Sequence, residues 1–98
     1  MSIEAAAEAI RAKVGANSGL GATVKFDCGD AGAVFIDGAS SPNSVTTENK
    51  DADCTVTCSM ETLEALIAGD LDPTAAFMQG KIKVGGDMGV AMRLSSVL

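Results

Sequence analysis

The 98-residue sequence contains no histidine, no tryptophan and no tyrosine. Without histidine the chain lacks the commonest general base of enzymes and a frequent ligand of zinc. Its glycine-rich segment 80–89 has neither the GK[ST] of a phosphate-binding loop nor the GxGxxG of a dinucleotide-binding turn. An enzyme needs such a loop, a nucleophile with a base, a carboxylate pair or a metal cluster. We therefore expect no catalytic activity, no metal and no cofactor.

Positive charge is also scarce, with seven Lys and Arg against thirteen Asp and Glu and a net charge of −6. This balance argues against binding to nucleic acids or anionic membrane surfaces, which attract clusters of basic residues. No apolar run approaches the roughly 20 residues that span a bilayer, so we expect at most transient membrane contact. Glu4 and Glu8 favour a mature N-terminal helix over a transit peptide. The expectation is one domain, residues 1–98, in the cytoplasm.

Aromatic residues are limited to three Phe, whereas the chain has five Met and eleven Gly. Flexible thioether side chains adapt to variable shapes, although a small core filled with whatever fits would have the same composition. The three cysteines, Cys28, Cys54 and Cys58, form no CxxC motif. In a strand, Cys54 and Cys58 would lie about 13 Å apart on one face, too far to bridge each other or share a metal. We expect all three to be buried as small hydrophobic residues.

Apolar spacing, helix caps and turn residues predict the order of the elements. The first part comprises a helix over 2–14 capped by Ser2 and ended by Gly15 and Asn17, strands over 22–28, 33–37, 44–48 and 54–59, and a helix over 60–68 between Ser59 and Gly69. The second part comprises a helix from Asp72-Pro73 to Gln79 ended by Gly80, a strand over 81–84, a turn at Gly85-Gly86 and a last helix from about Met88 capped by Asp87. Short connections favour antiparallel pairing, and this order favours an α+β layer with helices on one sheet face.

The last helix carries more apolar surface than one packing contact needs. At roughly 100° per residue its apolar side chains sweep an arc of about 220°, against the roughly 100° stripe of a helix that packs on one surface. Val90, Leu94 and Val97 form one flank, and Met88 and Met92 form the other. One flank can lie on a sheet, and the other needs another partner.

The same third of the chain resembles a known family. Residues 63–94 read LEALIAGDLDPTAAFMQGKIKVGGDMGVAMRL. This run is similar to the C-terminal signature of the sterol carrier protein 2 family, with its L-x-x-L-x-x-G-x-L-x-P helix pair, its F-x-Q-G-K-[LI]-K segment and its G-[ND]-M-[GA]-x-[AV]-x-[KR]-L helix. The step from Asp51 to Cys54 resembles the family's K-A-D-[CV] more loosely.

The resemblance implies a five-stranded, mostly antiparallel sheet covered by helices, with an apolar tunnel between the sheet and the C-terminal helices. It also implies non-catalytic binding and transfer or presentation of lipids such as fatty acids, acyl-CoA or sterols. Val34-Phe35-Ile36 stands where the family often has a Trp, and the Ser-Ser-Val-Leu ending differs from a Ser-Lys-Leu peroxisomal signal. We therefore expect an independent carrier outside the peroxisome.

We predict that the side chains lining the lipid site come from the two helices and the strand of the signature. They are Phe77, Met78, Gln79, Ile82, Val84, Met88, Val90, Met92 and Leu94. Gln79 would hold a polar head group or only end its helix, and either flank of the last helix could face the ligand. The alternative function is a small interaction module that uses the second flank as a dimer or partner interface. For the lipid-binding function we expect a monomer with a small-molecule lipid ligand.

Overall fold

A computed structural model describes residues 2–15, 20–40 and 42–97, with residues 95–97 described by their backbone alone. Its helices are α1 (Ile3–Val14), α2 (Met60–Ala68), α3 (Pro73–Met78) and α4 (Met88–Val97), and its strands are β1 (Thr23–Asp27), β2 (Ala33–Asp37), β3 (Ser44–Thr46), β4 (Cys54–Cys58) and β5 (Ile82–Gly86). The predictions for Asn17, Leu98 and the Val97 side chain fall outside the described residues. Within those residues, no helix combines the length and the apolar character needed to cross a membrane.

The predicted caps begin the helices. A side-chain oxygen of the cap accepts a hydrogen bond from a backbone N–H of the first turn at Ser2 for α1, Ser59 for α2, Asp72 for α3 and Asp87 for α4. These bonds satisfy N–H groups that have no partner inside the helix. Gly15, Gly69 and Gly80 follow the helix ends with positive φ angles, as predicted for C-terminal caps.

The strands form one mixed sheet in the order β3-β2-β1-β4-β5. Three neighbouring pairs are antiparallel and β1 pairs with β4 in parallel, which confirms the mostly antiparallel sheet. Since β3 lies at one edge and β4 next to β1, the connection over 47–53 crosses the sheet. It contacts the face opposite the core, where Lys25 Nζ donates to Asn49 Oδ1 at 3.0 Å and the Lys50 ammonium lies 5.2 Å from the centre of the Phe35 ring.

The hydrophobic core lies between the other sheet face and the helices. Val24, Phe26 and Val56 alternate inward from the central strands, and Ile10 of α1 and Leu63 of α2 pack in the same cluster. Each of these side chains is at most 2% exposed. Burying one such large aliphatic or aromatic side chain contributes about 1.5–3 kcal/mol, so this layer is the main source of stability.

The predicted turn at Gly85-Gly86 is wrong, because both glycines continue strand β5. Gly85 pairs with Thr55 and Gly86 with Cys54 in the antiparallel ladder. Glycine pairs are typical of turns and provide no side-chain alternation by which a strand could be recognised. At Gly86 the φ angle is +91°, and a Cβ atom there would lie 2.3 Å from the carbonyl oxygen of Asp53. Only glycine fits this position.

Asp53 connects this end of β5 to the rest of the sheet. Its carbonyl accepts the Asp87 N–H at 2.8 Å. Its carboxylate Oδ2 accepts from the Thr23 N–H at 3.1 Å and from the Thr23 hydroxyl at 3.2 Å, while its own N–H donates to Thr23 Oγ1 at 2.9 Å. We call this set, Thr23, Asp53, Gly86 and Asp87, the Asp53 junction. It holds the starts of β1 and β4, the end of β5 and the cap of α4 together.

The two adjacent glycines provide a matched test of the Asp53 junction. We expect Gly86→Ala to lower the free energy of unfolding by about 3 kcal/mol, because it adds left-handed backbone strain and a clash with a backbone oxygen. Gly85→Ala should change it by less than about 1 kcal/mol, since a Cβ there meets no atom within 4 Å. Urea denaturation followed by circular dichroism measures both variants, and equal effects would contradict the steric argument.

Candidate functional site

An apolar groove of about 330 Å³ opens to solvent between α3, β5 and α4. Each of the three elements contributes side chains to its walls. They are Pro73, Thr74 and Phe77 from α3, Ile82 and Val84 from β5, and Met88, Ala91 and Met92 from α4. The tunnel implied by the family resemblance remains a prediction, because the space between the described residues is an open groove.

The two flanks of α4 have different surroundings. Val90 and Leu94 are 1% and 4% exposed and pack in the core. Met88 and Met92 are 48% and 73% exposed and line the groove. The sequence left open which flank of α4 lies on the sheet. In the structure the flank with Val90 and Leu94 lies on the sheet, and the flank with Met88 and Met92 faces the groove. The two flanks follow from the 3.6-residue period of the helix.

The opposite wall is built by α3 and β5. Asp72 and Pro73 begin α3, and buried Ala76 anchors the helix in the core, so that Phe77, 47% exposed, extends along the groove. On β5, Ile82 and Val84 share the inward face because successive strand residues alternate between faces. Ile82 is buried and Val84 is half-buried.

The structure brings together five of the nine side chains predicted to line the lipid site, namely Phe77, Ile82, Val84, Met88 and Met92. It places the other four elsewhere. Val90 and Leu94 are core residues, Met78 is 81% exposed outside the groove, and Gln79 is an exposed C-cap whose N–H donates to Ala75 O.

Three groove residues were missed by the sequence reasoning. Pro73 and Thr74 belong to the first turn of α3, where the sequence signal concerned only helix initiation. Ala91 lies between the two methionines of α4, and its small size gave no indication of a role. Its spacing of three residues from Met88 was the available signal, since residues at i and i+3 share a helix face.

The groove has little polarity. Among its eight described lining residues none is charged, and the Thr74 hydroxyl is the one polar side-chain group. Asp72 and Asp87 precede the lining residues Pro73 and Met88 in the sequence, and both serve as helix caps: Asp72 Oδ1 accepts the Thr74 N–H and Asp87 Oδ1 accepts the Gly89 N–H, each at 2.9 Å. Such a surface is suited to binding an apolar molecule by excluding water from it.

A second cleft of about 310 Å³ has a different character. It is lined by Glu61, Thr62, Ala65, Leu71 and Lys81. Two opposite charges share this small space with two apolar side chains, so the cleft has neither the apolar continuity of the groove nor a concentrated charge. The groove is therefore the candidate site.

The three cysteines are free and buried. In the ranges that the structure describes, no group of three metal-ligating side chains occurs, with or without a cysteine. The Cys28 and Cys58 thiols are neighbours that influence each other's pKa. Burial, with smaller contributions from the neighbouring Cys28 and Asp27, raises the pKa of Cys58 to about 12. Burial likewise raises the pKa of Cys28 and of Cys54. Because the thiolate is the reactive form, these groups are poor nucleophiles at neutral pH.

The fold and the groove together define a small α+β domain with an uncharged apolar groove between its sheet and its C-terminal helices. The sequence model of the SCP-2 sterol transfer family matches residues 3–98. The chain therefore belongs to the SCP-2 sterol transfer family, whose members are lipid-binding and lipid-transfer domains. This finding confirms the resemblance seen in the sequence.

Individual relatives agree with this assignment. Sterol carrier protein 2 of Rattus norvegicus is 49% identical over 49 residues, which are 50% of this chain and 9% of that protein. The crystal structure of sterol carrier protein 2 like 2 from Aedes aegypti superposes on this chain with a TM-score of 0.79 at 25% sequence identity. The matched region covers 100% of this chain and 97% of the mosquito chain. A solution structure of the palmitated form of that mosquito protein has a TM-score of 0.73 at 28% identity, over 99% and 94% of the two chains. The chain thus spans less than a tenth of the rat protein and almost all of the mosquito domain.

The thiol environments predict slow alkylation. At pH 8 we expect iodoacetamide to modify native Cys58 at least about a hundredfold more slowly than the same residue in urea, because the thiolate is suppressed and covered. Mass spectrometry of peptides after timed labelling gives the three rates separately. Labelling of Cys58 at the unfolded rate would contradict the buried placement.

The raised pKa of Cys58 also predicts a pH dependence of stability. Above pH 9 the folded protein keeps this proton, whereas the unfolded thiol, with a pKa of 9.0, releases it. The contribution to the free energy of unfolding is therefore complete below pH 9 and is lost as the pH rises toward 12. Urea denaturation between pH 8 and pH 11 should show a steeper decline for the unmodified protein than for Cys58→Ala. Parallel declines would contradict this prediction.

Proposed function

We propose that this domain binds a lipid non-covalently, with the apolar part of the ligand in the groove between α3, β5 and α4, and that it transfers or presents the ligand without chemical change. Candidate ligands are fatty acids, acyl-CoA and sterol-like molecules. The observation that carries the proposal is the uncharged groove, with half-exposed apolar side chains on two helices, in a chain of a lipid-transfer family.

Apolar burial alone is sufficient for useful affinity. Each buried methylene contributes about 0.8 kcal/mol, so about ten methylenes would give the roughly 8 kcal/mol of a micromolar complex. The palmitated state of the mosquito relative is further support, since palmitate is a single acyl chain.

The residues take three roles in this proposal. Phe77, Ile82, Val84, Met88 and Met92 contact the ligand, together with Pro73, Thr74 and Ala91. Val90 and Leu94 hold α4 on the sheet from behind. Met78 and Gln79, at the end of α3, contact solvent. We further propose that residues 1–98 act as one lipid-binding domain, monomeric and cytoplasmic.

The same exposed side chains favour one alternative. Phe77, Met78, Met88 and Met92 are 47%, 81%, 48% and 73% exposed, and clustered exposed apolar side chains also mark protein interfaces. A second function would then be an interaction module that pairs through α3 and α4, with the groove closed by a partner instead of a lipid.

Two methionine variants test the lipid site. Met92→Asp should weaken the binding of a fluorescent fatty acid to delipidated protein by about tenfold or more, because it places a carboxylate in an apolar site. Met78→Asp, a matched change at an exposed methionine outside the groove, should alter the dissociation constant by less than about threefold. Displacement by unlabelled fatty acid shows that binding is saturable. Absence of saturable binding in the unchanged protein would overturn the proposed function.

Sedimentation separates lipid binding from the alternative. For a lipid carrier we expect a monomer across protein concentrations of about 1–500 μM, since mass action would reveal a dimer with a dissociation constant in that range. A concentration-dependent dimer that Met92→Asp dissociates would instead support the interaction module.

A further inference from the structure

Independently of the proposed function, we infer that Cys28 and Cys58 form a dithiol site that a small disulfide molecule oxidises to an internal disulfide bond. The oxidant is a low-molecular-weight disulfide of the form RSSR, and glutathione disulfide serves as the probe. Cys54, the third buried thiol, takes no part. The site lies in the central strands of the sheet and not in the groove.

The sheet register places the two thiols side by side. Strands β1 and β4 run in parallel, and their last paired residues are Asp27 and Thr57. Cys28 and Cys58 are the next residues along the chain from that pair, and both lie in the core cluster. Neighbouring strands are about 4.7–4.9 Å apart, which is inside the range of about 4.4–6.8 Å that separates the Cα atoms of disulfides.

The backbone of each cysteine is held in this arrangement by hydrogen bonds on its far side. The Cys28 N–H donates to the Gly32 carbonyl at 2.9 Å, at the start of the turn between β1 and β2. Cys58 pairs with Ile82 in the antiparallel ladder of β4 and β5. A disulfide between the two residues therefore requires no displacement of the strands, and displacement is the usual source of strain in such bonds.

The position of Cys54 excludes the other two pairings. Cys54 and Cys58 are four residues apart on β4, a separation of about 13 Å in a strand. Cys54 pairs with Val24, so it lies about the same distance along the sheet from Cys28. Both separations exceed the roughly 7 Å beyond which two cysteines cannot be bridged without backbone movement. The fold thus permits one disulfide of the three that the composition allows.

The reaction consists of two successive thiol–disulfide exchanges. Cys28 reacts first, because the three residues that follow it, 29–31, are exposed. Its thiolate attacks one sulfur of RSSR, which forms a mixed disulfide and releases one thiolate that takes up the proton lost by Cys28. The Cys58 thiolate then attacks the Cys28 sulfur and releases the second RSH in the same way. The protein loses two electrons and two protons, and RSSR gains them as two molecules of RSH.

Burial makes this exchange slow. Cys28 and Cys58 are each 9% exposed, whereas Cys54 is completely covered. Burial also raises the pKa of both thiols of the pair, and the thiolate is the attacking form. Since the thiolate fraction rises with pH, the rate of oxidation should increase by up to about tenfold from pH 7 to pH 8.

The disulfide would also stabilise the fold. The closed loop runs from residue 28 to residue 58 and contains β2, β3 and the connection over 47–53. A cross-link that closes a loop of this length removes many conformations of the unfolded chain. The equilibrium constant for unfolding should therefore be about a hundredfold lower or more in the oxidised protein than in the reduced protein.

The test is incubation of the reduced, folded protein with excess glutathione disulfide at pH 8, stopped with acid at intervals over several hours. We expect the intact mass to fall by two hydrogen atoms, and excess dithiothreitol to restore it. Trypsin cuts after Lys25, Lys50 and Lys81, so that Cys28 lies on peptide 26–50 and the other two cysteines on peptide 51–81. The disulfide should link these two peptides.

Single cysteine variants identify the partners. Cys54→Ala should lose two hydrogen atoms like the unchanged protein, which assigns the link on peptide 51–81 to Cys58. Cys58→Ala, the matched change at the other cysteine of β4, should stop at the mixed disulfide with glutathione. If a variant does not fold, fragmentation of the linked peptides from the unchanged protein assigns the partners without it. Urea denaturation of the oxidised and reduced proteins measures the change in the unfolding equilibrium.

The outcomes decide the inference without reference to lipid binding. A link between Cys28 and Cys58 that forms in the folded protein and stabilises it supports the inference. A link that includes Cys54, a mixed disulfide that persists on the unchanged protein, or no oxidation at pH 8 overturns it. An oxidised protein that is no more stable than the reduced protein also overturns it, because the fold would then not accommodate the bond.

Discussion

The Asp53 junction determines where the groove is. The Asp53 carbonyl lies so close to Gly86 that no side chain fits between them, and the same carbonyl accepts the backbone N–H of Asp87. The Asp87 carboxylate in turn caps the start of α4 by accepting the Gly89 N–H. The Asp53 carboxylate binds Thr23 on the neighbouring strand. The start of α4 is therefore fixed relative to β1, β4 and β5 at once. From that point the helix runs over the sheet with Val90 and Leu94 inward, and the space beside it toward α3 remains open.

This arrangement uses a helix with two apolar flanks to make two surfaces from one element. The valine and leucine flank completes the core, where burial of each large side chain contributes about 1.5–3 kcal/mol. The methionine flank contributes no comparable burial, since Met92 remains 73% exposed. A small domain with a modest core would gain stability by covering that flank. The chain instead leaves that flank exposed beside an uncharged groove.

The order of elements could be predicted from the sequence because each signal is local. Ser59, Asp72 and Asp87 are caps whose side chains bond to the next turn, and the alternation of Cys54, Val56 and Cys58 is visible within five residues. The two-flanked last helix was likewise visible from its period. These signals depend on neighbours in the sequence and are not altered by the rest of the fold.

What could not be predicted depends on distant contacts. Gly86 belongs to a strand because it pairs with Cys54, more than thirty residues earlier in the chain, whereas a glycine pair by itself indicates a turn. The parallel pairing of β1 with β4 requires the 47–53 connection to cross the sheet, and no local pattern specifies a crossing. Pro73, Thr74 and Ala91 became groove residues only through the approach of α3 to α4.

The elements that build the groove also explain how a ligand would act on the fold. Helix α3 has six residues, far fewer than the roughly 12–15 needed for an isolated helix to form in water, and β5 is an edge strand with one hydrogen-bonded neighbour. Both depend on tertiary contacts, and one side of each faces the groove. An alkyl chain bound there would supply the apolar contacts that these elements lack. A ligand that binds only the folded state would stabilise the whole domain by mass action, through contacts made by its C-terminal third. The site and the least self-sufficient part of the fold are thus the same segment.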